Sequence, residues 1–361
     1  MAIVRVEESS NPVFEAFRAY YSLDHHLYLP QGLERREFAY QDLKTGNFTR
    51  HISLSSGEEV RRFLRTKVPG HFYYSTAFYD LPDAKSMEEK GWQGSELLFD
   101  IDLDHVEECS GHIVETPKMS AKIMGDECIW EGIRYVNNLV DILTRDLGIE
   151  RGDIQAYYTG NRGFHVKASC DWCLGLGREE RRLLASYVLA EALDLEEIFP
   201  RKDKMPRGAR IAPPTSGDPG WRGWIARLVK EHPSDKNWGK RVLEAIERFR
   251  PPIDTQVTQD ISRLARPPGT LNGKTGFLVA ALREGLPLPR DHRISPFGGE
   301  VRVRALDTVN GVRLFGYQVD VREGGDYQVP AWIAIYLALR GIVELVEGDI
   351  VVRADTGWRP V

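Results

Sequence analysis

Hydrophobic and polar residues alternate strictly over residues 99–104, a pattern that predicts a β-strand with two different faces. Three apolar side chains would point into the core, and three carboxylates would share the opposite face: Asp100, Asp102 and Asp104. Because residues two apart on a strand are about 6.5–7 Å apart, two such carboxylates can bracket divalent cations. A solvated acidic face is the alternative interpretation. Repulsion between like charges favours the metal-binding one.

Apolar residues elsewhere recur with helical or strand periodicity. Helices are predicted for residues 13–29, 131–147, 178–195, 242–249 and 332–340. Strands are predicted for residues 35–40 and 48–54 around a turn, and for 71–78, 154–159, 164–168, 301–305 and 313–319, with a final hairpin around 347–349. This mixture predicts an α/β (α+β) fold of mixed sheets flanked by helices.

Length and composition change this picture little. The 361 residues, 42% hydrophobic and 28% charged, are typical of an ordinary globular protein with a substantial core. A formal net charge of −5 neither indicates nor excludes nucleic-acid binding. The N-terminus has early acidic residues and no apolar segment, and the apolar run at 331–339 is too short to span a bilayer. We therefore expect a soluble cytoplasmic protein without a membrane partner.

Two glycine-rich segments have the residues that bind phosphate. Residues 160–163 form a predicted turn whose glycines let the backbone approach a ligand, with Arg162 and His165 as cationic or hydrogen-bonding side chains. An ordinary hairpin is the alternative. The basic loop 263–276 follows Asp254, which we place on a short strand as a third carboxylate. A P-loop is excluded because Pro268 stands where that motif requires glycine.

A stretch rich in possible metal ligands follows the acidic strand. Cys109 and His112 have the spacing of zinc ligands, and Cys128 could close a loop onto them. Three residues compete as the fourth ligand: His105, Asp126 and Glu131. Buried thiols near surface histidines are the alternative. Cys170 and Cys173 form a second possible pair, although four cysteines are too few for a secreted disulfide scaffold of this size.

These motifs together resemble the catalytic small subunit of the archaeal–eukaryotic DNA primase family. The family patterns D-x-D, S-G-x-R-G-x-H and a third Asp ahead of R-x-P-G-S-x-H-x-K-T-G occur here in order over about 180 residues. They are carried by Asp100 and Asp102, by residues 159–165, and by Asp254 with residues 266–276. Residues 36–38 match a further family stretch. The close match of the last loop indicates an archaeal member.

The resemblance implies a role for each matching residue. Asp100, Asp102 and Asp254 would hold two Mg²⁺ or Mn²⁺ ions, one activating the primer 3′-hydroxyl and one stabilising the triphosphate and the leaving pyrophosphate. The implied nucleotide-binding residues are Thr159, Arg162, His165, Arg266, Asn272 and Lys274, with Glu37 and Arg50 in the same pocket. Thr159 and Asn272 stand where the family has Ser and His.

The resemblance also implies the domain organisation and the partners. Residues 1–361 would form one primase catalytic domain, with a zinc-binding insertion at 104–131 and a basic flexible loop at 201–224. The implied structural zinc ligands are Cys109, His112, Cys128 and Glu131. The implied partners are a single-stranded DNA template, nucleoside triphosphates and a primase large subunit that completes a heterodimer.

The predicted function is DNA primase activity in replication, which makes short primers on single-stranded DNA by two-metal nucleotidyl transfer and releases pyrophosphate. One alternative is a primase-like repair or translesion polymerase that mainly extends primers. Another is a non-catalytic nucleic-acid-binding subunit. The three carboxylates disfavour the last, because acidic groups that face phosphate are unfavourable without metal.

Overall fold

The structure, a computed structural model, describes residues 1–7, 11–191, 193–198, 214–230, 237–283 and 288–357. The helices of these ranges are α1 (Pro12–Ser22), α2 (Gly57–Lys67), α3 (Met87–Lys90), α4 (Asp126–Arg145), α5 (Asp171–Leu174), α6 (Arg178–Val188), α7 (Leu195–Ile198), α8 (Gly220–Leu228), α9 (Trp238–Phe249), α10 (Thr255–Gln259) and α11 (Ala331–Ala338).

The strands of the same ranges are β1 (Ala2–Val6), β2 (Glu37–Asp42), β3 (Phe48–Ser53), β4 (Pro69–Ser75), β5 (Ala77–Tyr79), β6 (Trp92–Ser95), β7 (Leu97–Asp102), β8 (Ile113–Glu115), β9 (Lys122–Met124), β10 (Ile154–Tyr158), β11 (Gly163–Ala168), β12 (Leu264–Ala265), β13 (Ala280–Leu282), β14 (Phe297–Gly298), β15 (Glu300–Ala305), β16 (Val309–Leu314), β17 (Tyr317–Val321), β18 (Asp326–Pro330) and β19 (Val343–Val352). This mixed α+β architecture confirms the predicted fold class at that level.

A four-stranded antiparallel sheet in the order β13-β10-β11-β7 contains the acidic strand. Helix α4 packs against it, and Gly132 of α4 gives the ring of Phe164 room to lie against the helix backbone. The apolar residues of β7 that were predicted to face the core, Phe99 and Ile101, are completely buried. The alternation seen in the sequence therefore reports the burial of one face of this strand.

A second four-stranded sheet, β12-β4-β2-β3, lies against the polar face of the first. The contact includes buried charges, since Glu96 accepts hydrogen bonds from Arg36 and from Lys167, both at 2.9 Å. Burying charged groups costs free energy unless each finds a partner, and here one carboxylate pairs with two cations. Because Lys167 follows His165 by two residues on β11, the ionic layer lies beside the predicted site.

Four strands of the C-terminal part of the chain and the N-terminal strand β1 form a five-stranded sheet with the path β1-β19-β15-β18, and β14 also pairs with β19. The apolar helix α11 is buried against this sheet. The predicted final hairpin around 347–349 is wrong, because β19 runs straight through those residues. Gly348, with φ of 129°, lets the strand pass close to the Glu300 carbonyl without turning back.

Other boundaries also differ from the prediction. Helix α1 ends at Ser22 rather than at 29, and α6 ends at Val188 rather than at 195. Helix α4 begins five residues early because Gly125 leads straight into a first turn that carries two acidic residues. Residues 201–213 of the predicted basic loop lie outside the described residues, while α8 begins within its remainder.

Candidate active site

The register of two neighbouring strands fixes the first two carboxylates. Asp100 of β7 lies opposite His165 of β11, and Asp102 lies opposite Gly163. A Cβ at position 163 would lie 2.5 Å from the Ile101 carbonyl oxygen, so glycine is needed for this close approach. Both carboxylates therefore project from the same face of an edge strand, as the alternation predicts.

The third carboxylate comes from a different element. Asp254 is the N-cap of α10, and its Oδ1 accepts a hydrogen bond from the Gln256 backbone N–H at 2.8 Å. The backbone N–H of Asp254 donates to the Asp100 carbonyl at 2.9 Å, which ties the start of α10 to β7. The three carboxylates line one cavity of about 680 Å³. The sequence placed Asp254 on a strand, which is wrong because Ile253 forms only an isolated bridge with Ile101.

Electrostatics distinguish Asp100 from its neighbours. Burial, followed by the charge of Asp102 and to a smaller extent that of Asp254, raises its pKa to about 6. His165 Nε2 lies 3.7 Å from Asp100 Oδ1, and burial, followed by nearby arginines that include Arg266, lowers the pKa of His165 to about 3. The imidazole is therefore neutral and can donate a hydrogen bond through one ring nitrogen only.

A second cavity, of about 190 Å³, opens on the other side of the carboxylates. Asp100 and Asp102 form part of its wall, so the two cavities meet at these residues. Six predicted nucleotide-binding residues line it: Thr159, Arg162, His165, Arg266, Asn272 and Lys274. Two segments separated by more than 100 residues of chain therefore converge on one small polar space.

Two of these six residues hold the loops in place. Thr159 Oγ1 donates to the Gly163 carbonyl at 3.0 Å and closes the turn. Asn272 Nδ2 donates to the Thr159 carbonyl at 2.8 Å, and its Oδ1 accepts from the Lys274 N–H at 3.0 Å. Gly160, with φ of 80°, leaves space for the buried Asn272 side chain. Both the nitrogen and the oxygen of this amide are therefore engaged in hydrogen bonds within the protein.

Three cationic side chains give the second cavity its positive character. Arg162 forms an ion pair with Asp104, a residue to which the sequence assigned no role. Arg266 Nη2 donates to the Tyr73 hydroxyl at 3.1 Å. Burial, followed by the charges of Arg162 and Arg266, lowers the pKa of Lys274. Like charges gathered in a half-buried space are stabilised by an anionic ligand.

Arg50 belongs to a third cavity, of about 360 Å³, which shares Asp100, His165 and Arg266 with the second. Arg50 lines this space, whereas Glu37 is completely buried behind it. Glu37 accepts two hydrogen bonds from Arg50, at 2.9 and 3.1 Å, and its Oε2 lies 3.2 Å from Lys90 Nζ. Glu37 therefore orients Arg50 rather than facing the cavity itself.

The predicted zinc-binding insertion at 104–131 has a different structure. Its residues form 3₁₀ turns, the hairpin β8–β9 and the start of α4. Cys109 and Cys128, two of the four predicted ligands, are joined to each other in a disulfide. Cys170 and Cys173 form a second disulfide. The paired thiols leave no thiolate for a metal, because a disulfide sulfur is not the ligand that zinc prefers.

The other proposed zinc ligands have partners of their own. His112 Nδ1 lies 4.0 Å from a carboxylate oxygen of Glu127, and Glu131 accepts a hydrogen bond from Arg134 at 2.7 Å. Asp126 accepts from the Gly316 N–H at 3.0 Å, and the His105 side chain lies outside the described part of the chain. Within the described ranges, no three His, Cys, Asp or Glu side chains are gathered closely enough to hold an ion, here or at Asp100. The predicted zinc site is thus not formed.

Sequence analysis missed one residue that contacts both glycine-rich segments, residues 160–163 and residues 263–276. Arg340, just beyond α11, donates to the Asn161 side-chain oxygen at 3.0 Å and to the Lys274 carbonyl. No local pattern could identify it, because Arg340 ends an apolar helix far along the chain from either loop.

Comparison with known proteins decides the family. A family model described as DNA primase small subunit matches residues 99–284. This range includes all three carboxylates and the six predicted nucleotide-binding residues that line the second cavity. This chain belongs to the DNA primase small subunit family. The family resemblance seen in the motifs is confirmed, and with it the prediction of a nucleotidyltransferase that acts in DNA replication.

Relatives extend this primase similarity over nearly the whole chain. The DNA primase small subunit PriS of Aeropyrum pernix is 46% identical over 347 residues, covering 96% of each chain. PriS of Saccharolobus solfataricus is 34% identical over 356 residues, covering 93% of this chain and 96% of the relative. Both are archaeal, as the predicted family member is.

Among solved structures, the chain is similar to the polymerase domain of Mycobacterium tuberculosis ligase D in complex with DNA. That likeness has a TM-score of 0.35 and 12% identity, and it covers 75% of this chain and 80% of the other.

Within the described ranges, the primase contains no helix that is long and apolar enough to cross a bilayer.

Proposed function

We propose that this primase joins nucleotides de novo on single-stranded DNA, with Asp100, Asp102 and Asp254 as the carboxylates that hold two divalent cations. One observation carries the proposal: these three residues line one cavity, and their mutual repulsion, with burial, raises the pKa of Asp100 to about 6. Carboxylates that repel one another in a half-buried space need a positive charge between them.

The chemistry of the donor set suits Mg²⁺ or Mn²⁺ rather than zinc, although the three carboxylates, which are not gathered in one cluster among the described residues, would have to draw closer together around an ion. All of its ligands are carboxylate oxygens, which suit hard cations, and the two thiol pairs lie elsewhere in disulfides. When bound, such cations supply Lewis acidity to a primer hydroxyl and neutralise the charge that develops on pyrophosphate. Asp254 caps α10 from outside the main sheet, and a backbone hydrogen bond to Asp100 and the bridge between Ile253 and Ile101 hold it beside β7.

The cationic cavity is where we propose that the triphosphate of the incoming nucleotide binds. Arg162, Arg266 and Lys274 supply charge-assisted hydrogen bonds, and neutral His165 supplies one further donor. Because Asp100 and Asp102 separate this cavity from the larger one, an α-phosphate at the boundary would face a primer 3′-hydroxyl across the carboxylates. In this reaction the hydroxyl oxygen forms the new bond to phosphorus, and pyrophosphate leaves with the electron pair of the broken bond.

The third cavity extends the nucleotide site. Arg50, held by Glu37, lies on the side of Asp100 away from the larger cavity, and the exposed ring of Phe48 lies in the same wall. We propose that this space receives the part of the nucleotide beyond the phosphates. We further propose a primase large subunit as the partner, in a heterodimer in which this chain supplies the catalytic residues.

The test is nucleotide incorporation on single-stranded DNA, with and without a primer, in Mg²⁺ or in Mn²⁺. Asp102→Asn should lower incorporation by about 10³-fold or more, because cation binding in such reactions is worth several kcal/mol. The matched control is Asp349→Asn, which removes an exposed carboxylate of β19. An Asp102→Asn protein that retains near-normal activity would exclude the carboxylates as the metal site. Extension of primers without any de novo product would limit the proposal to the extension step.

A further inference from the structure

The two loops that line the cationic cavity are joined by a residue from the C-terminal sheet region. Arg340 Nη2 donates to Asn161 Oδ1 at 3.0 Å, in the first loop, and Nη1 donates to the Lys274 carbonyl, in the second. Arg340 itself does not line the cavity. It also lies outside residues 99–284, the part that matches the family model.

The backbone at Arg340 is fixed by the way in which α11 ends. The Gly341 N–H donates to the Ala338 carbonyl at 2.9 Å, and the Ile342 N–H donates to the Leu337 carbonyl at 3.0 Å. These two bonds form the glycine-terminated closure that helices commonly use, and Gly341 has the φ of 71° that it requires. A cation at this end also interacts favourably with the negative end of the helix dipole.

The side chain of Arg340 is held by an aromatic stack. Its guanidinium lies 4.0 Å from the ring centroid of Tyr336, one turn back on α11. The Tyr336 ring stacks in turn on Phe277, with 5.1 Å between centroids, and Phe277 follows the second loop directly. A guanidinium between an aromatic face and two oxygen acceptors has little freedom to move. Helix α11 therefore fixes the distance between the two loops.

Only a guanidinium can make both bonds in this arrangement. Its planar fork presents several donors in fixed directions, whereas a lysine ammonium is a single point charge. Arg340 also adds positive charge near Lys274, whose pKa it helps to lower after the larger effects of burial, Arg162 and Arg266. Arg340 thus affects the cavity in two ways. It holds the two loops in position, and its positive charge adds to the electrostatic potential at Lys274.

We propose that Arg340 is a positioning residue of the primase: it locks the loop around Asn161 against the loop around Lys274 and so sets the affinity for the nucleoside triphosphate. This inference rests on the proposed triphosphate site. It predicts an effect on nucleotide binding and little effect on the chemistry, because the three carboxylates lie on β7 and α10, which Arg340 does not touch.

The experiment is primer extension on a single-stranded template with Arg340→Gln and Arg340→Lys, read as separate KM and kcat values. The KM for nucleotide should rise about 10-fold in Arg340→Gln, because the substitution removes hydrogen bonds that a charged group donates, while kcat changes less than about 3-fold. Arg340→Lys should recover only part of the affinity. Arg5→Gln, an exposed arginine on β1, is the matched control.

A second measurement separates positioning from a general structural role. Binding of a fluorescent ATP analogue, measured without turnover, should weaken in Arg340→Gln by the same factor as KM rises. A double-mutant cycle with Asn161→Ala should be strongly non-additive, because each substitution alone already removes the hydrogen bond between Arg340 and Asn161. An Arg340→Gln protein with unchanged KM, or with kcat and thermal stability lowered at constant KM, would overturn the inference. If the wild-type chain incorporates no nucleotide, the proposed function fails instead.

Discussion

Two tyrosines of α1 contact the basic loop 263–276. The Tyr20 hydroxyl donates to the Gly269 carbonyl at 2.8 Å, and the Tyr21 hydroxyl accepts from the Leu271 N–H at 3.2 Å. Both phenols are almost completely buried, so each bond is made without competition from water. The basic loop 263–276 is therefore anchored by α1.

A buried histidine makes this anchor sensitive to acid. The His25 ring lies 4.3 Å from the Tyr20 ring, and burial lowers the pKa of His25 to about 4. The ring faces Arg61 and Arg65, which lower its pKa further, and Asp24, which opposes them. Because the folded protein holds this imidazole neutral, the free energy of unfolding should fall as pH drops from about 6.5 towards 4.

We expect His25 to cost about 2 kcal/mol of stability between pH about 7 and pH about 5. Urea unfolding at the two pH values measures this loss, and His25→Gln should reduce it by that amount, because glutamine does not titrate. His112→Gln, at an exposed histidine, is the control and should leave the loss unchanged. An equal loss in the His25 variant and in the wild type would contradict this account.

At the scale of elements, close packing of α4 on β11 sets the position of the catalytic sheet. A Cβ at Gly132 would overlap the Phe164 ring and lie 2.9 Å from Leu103 Cδ1. Phe164 is the neighbour of His165, and Leu103 follows Asp102 directly. A displacement of α4 would therefore be transmitted to both strands that carry the site.

Gly132→Ala should destabilise the primase by about 1–3 kcal/mol, the usual cost of overpacking a core. Gly152→Ala is the matched control, because nothing lies within 4 Å of a Cβ at that position. Chemical denaturation gives both values. If Gly132→Ala is no less stable than Gly152→Ala, then α4 can shift without cost and does not fix the sheet.

The sequence predicts well the elements whose conformation is determined by residues that are neighbours in the chain. The alternation in β7 places Asp100 and Asp102 on one face of the strand, and the glycine turn before His165 identifies one side of the cationic cavity. Strand β19 was misread because Glu347, Gly348 and Asp349 are ordinary turn residues, and only pairing with β15 and β1 keeps them extended.

Contacts over long sequence separations could not be predicted in the same way. Asp104 pairs with Arg162 across a strand boundary, and Arg340 contacts Asn161 from the turn that follows α11. Neither contact has a local pattern, since any surface aspartate or arginine has the same sequence appearance. The site was found from its motifs, while the residues that hold it in place required the fold.

At the scale of the whole molecule, a disulfide joins Cys109 and Cys128, two of the four residues that the sequence predicted as zinc ligands. Cys109 and Cys128 close a loop with a sequence separation of 19, whereas Cys170 and Cys173 are only 3 apart. A longer closed loop removes more conformational freedom from the unfolded chain. The first disulfide should therefore stabilise the molecule far more than the second.

Replacing Cys109 and Cys128 by serine should lower the free energy of unfolding by about 3 kcal/mol, and the same change at Cys170 and Cys173 should lower it less. A reductant should reproduce the first effect in the wild type, and a chelator should leave the unfolding temperature unchanged. Zinc that co-purifies with the protein, together with a loss of stability in the chelator, would restore the predicted metal site.

The pairing of β1 with β19 has a consequence for how the polypeptide is made. Their register joins Ala2 to Val352, so β1 can pair with β19 only after the ribosome has made all of the chain between them. At about 5–20 residues per second, translation leaves that strand without its neighbour for about 20–70 s. During this interval the nascent chain carries an unsatisfied β-edge, a surface that chaperones or other nascent chains can occupy. Synthesis of β19, and not the folding of any earlier segment, is then the step that completes this five-stranded sheet.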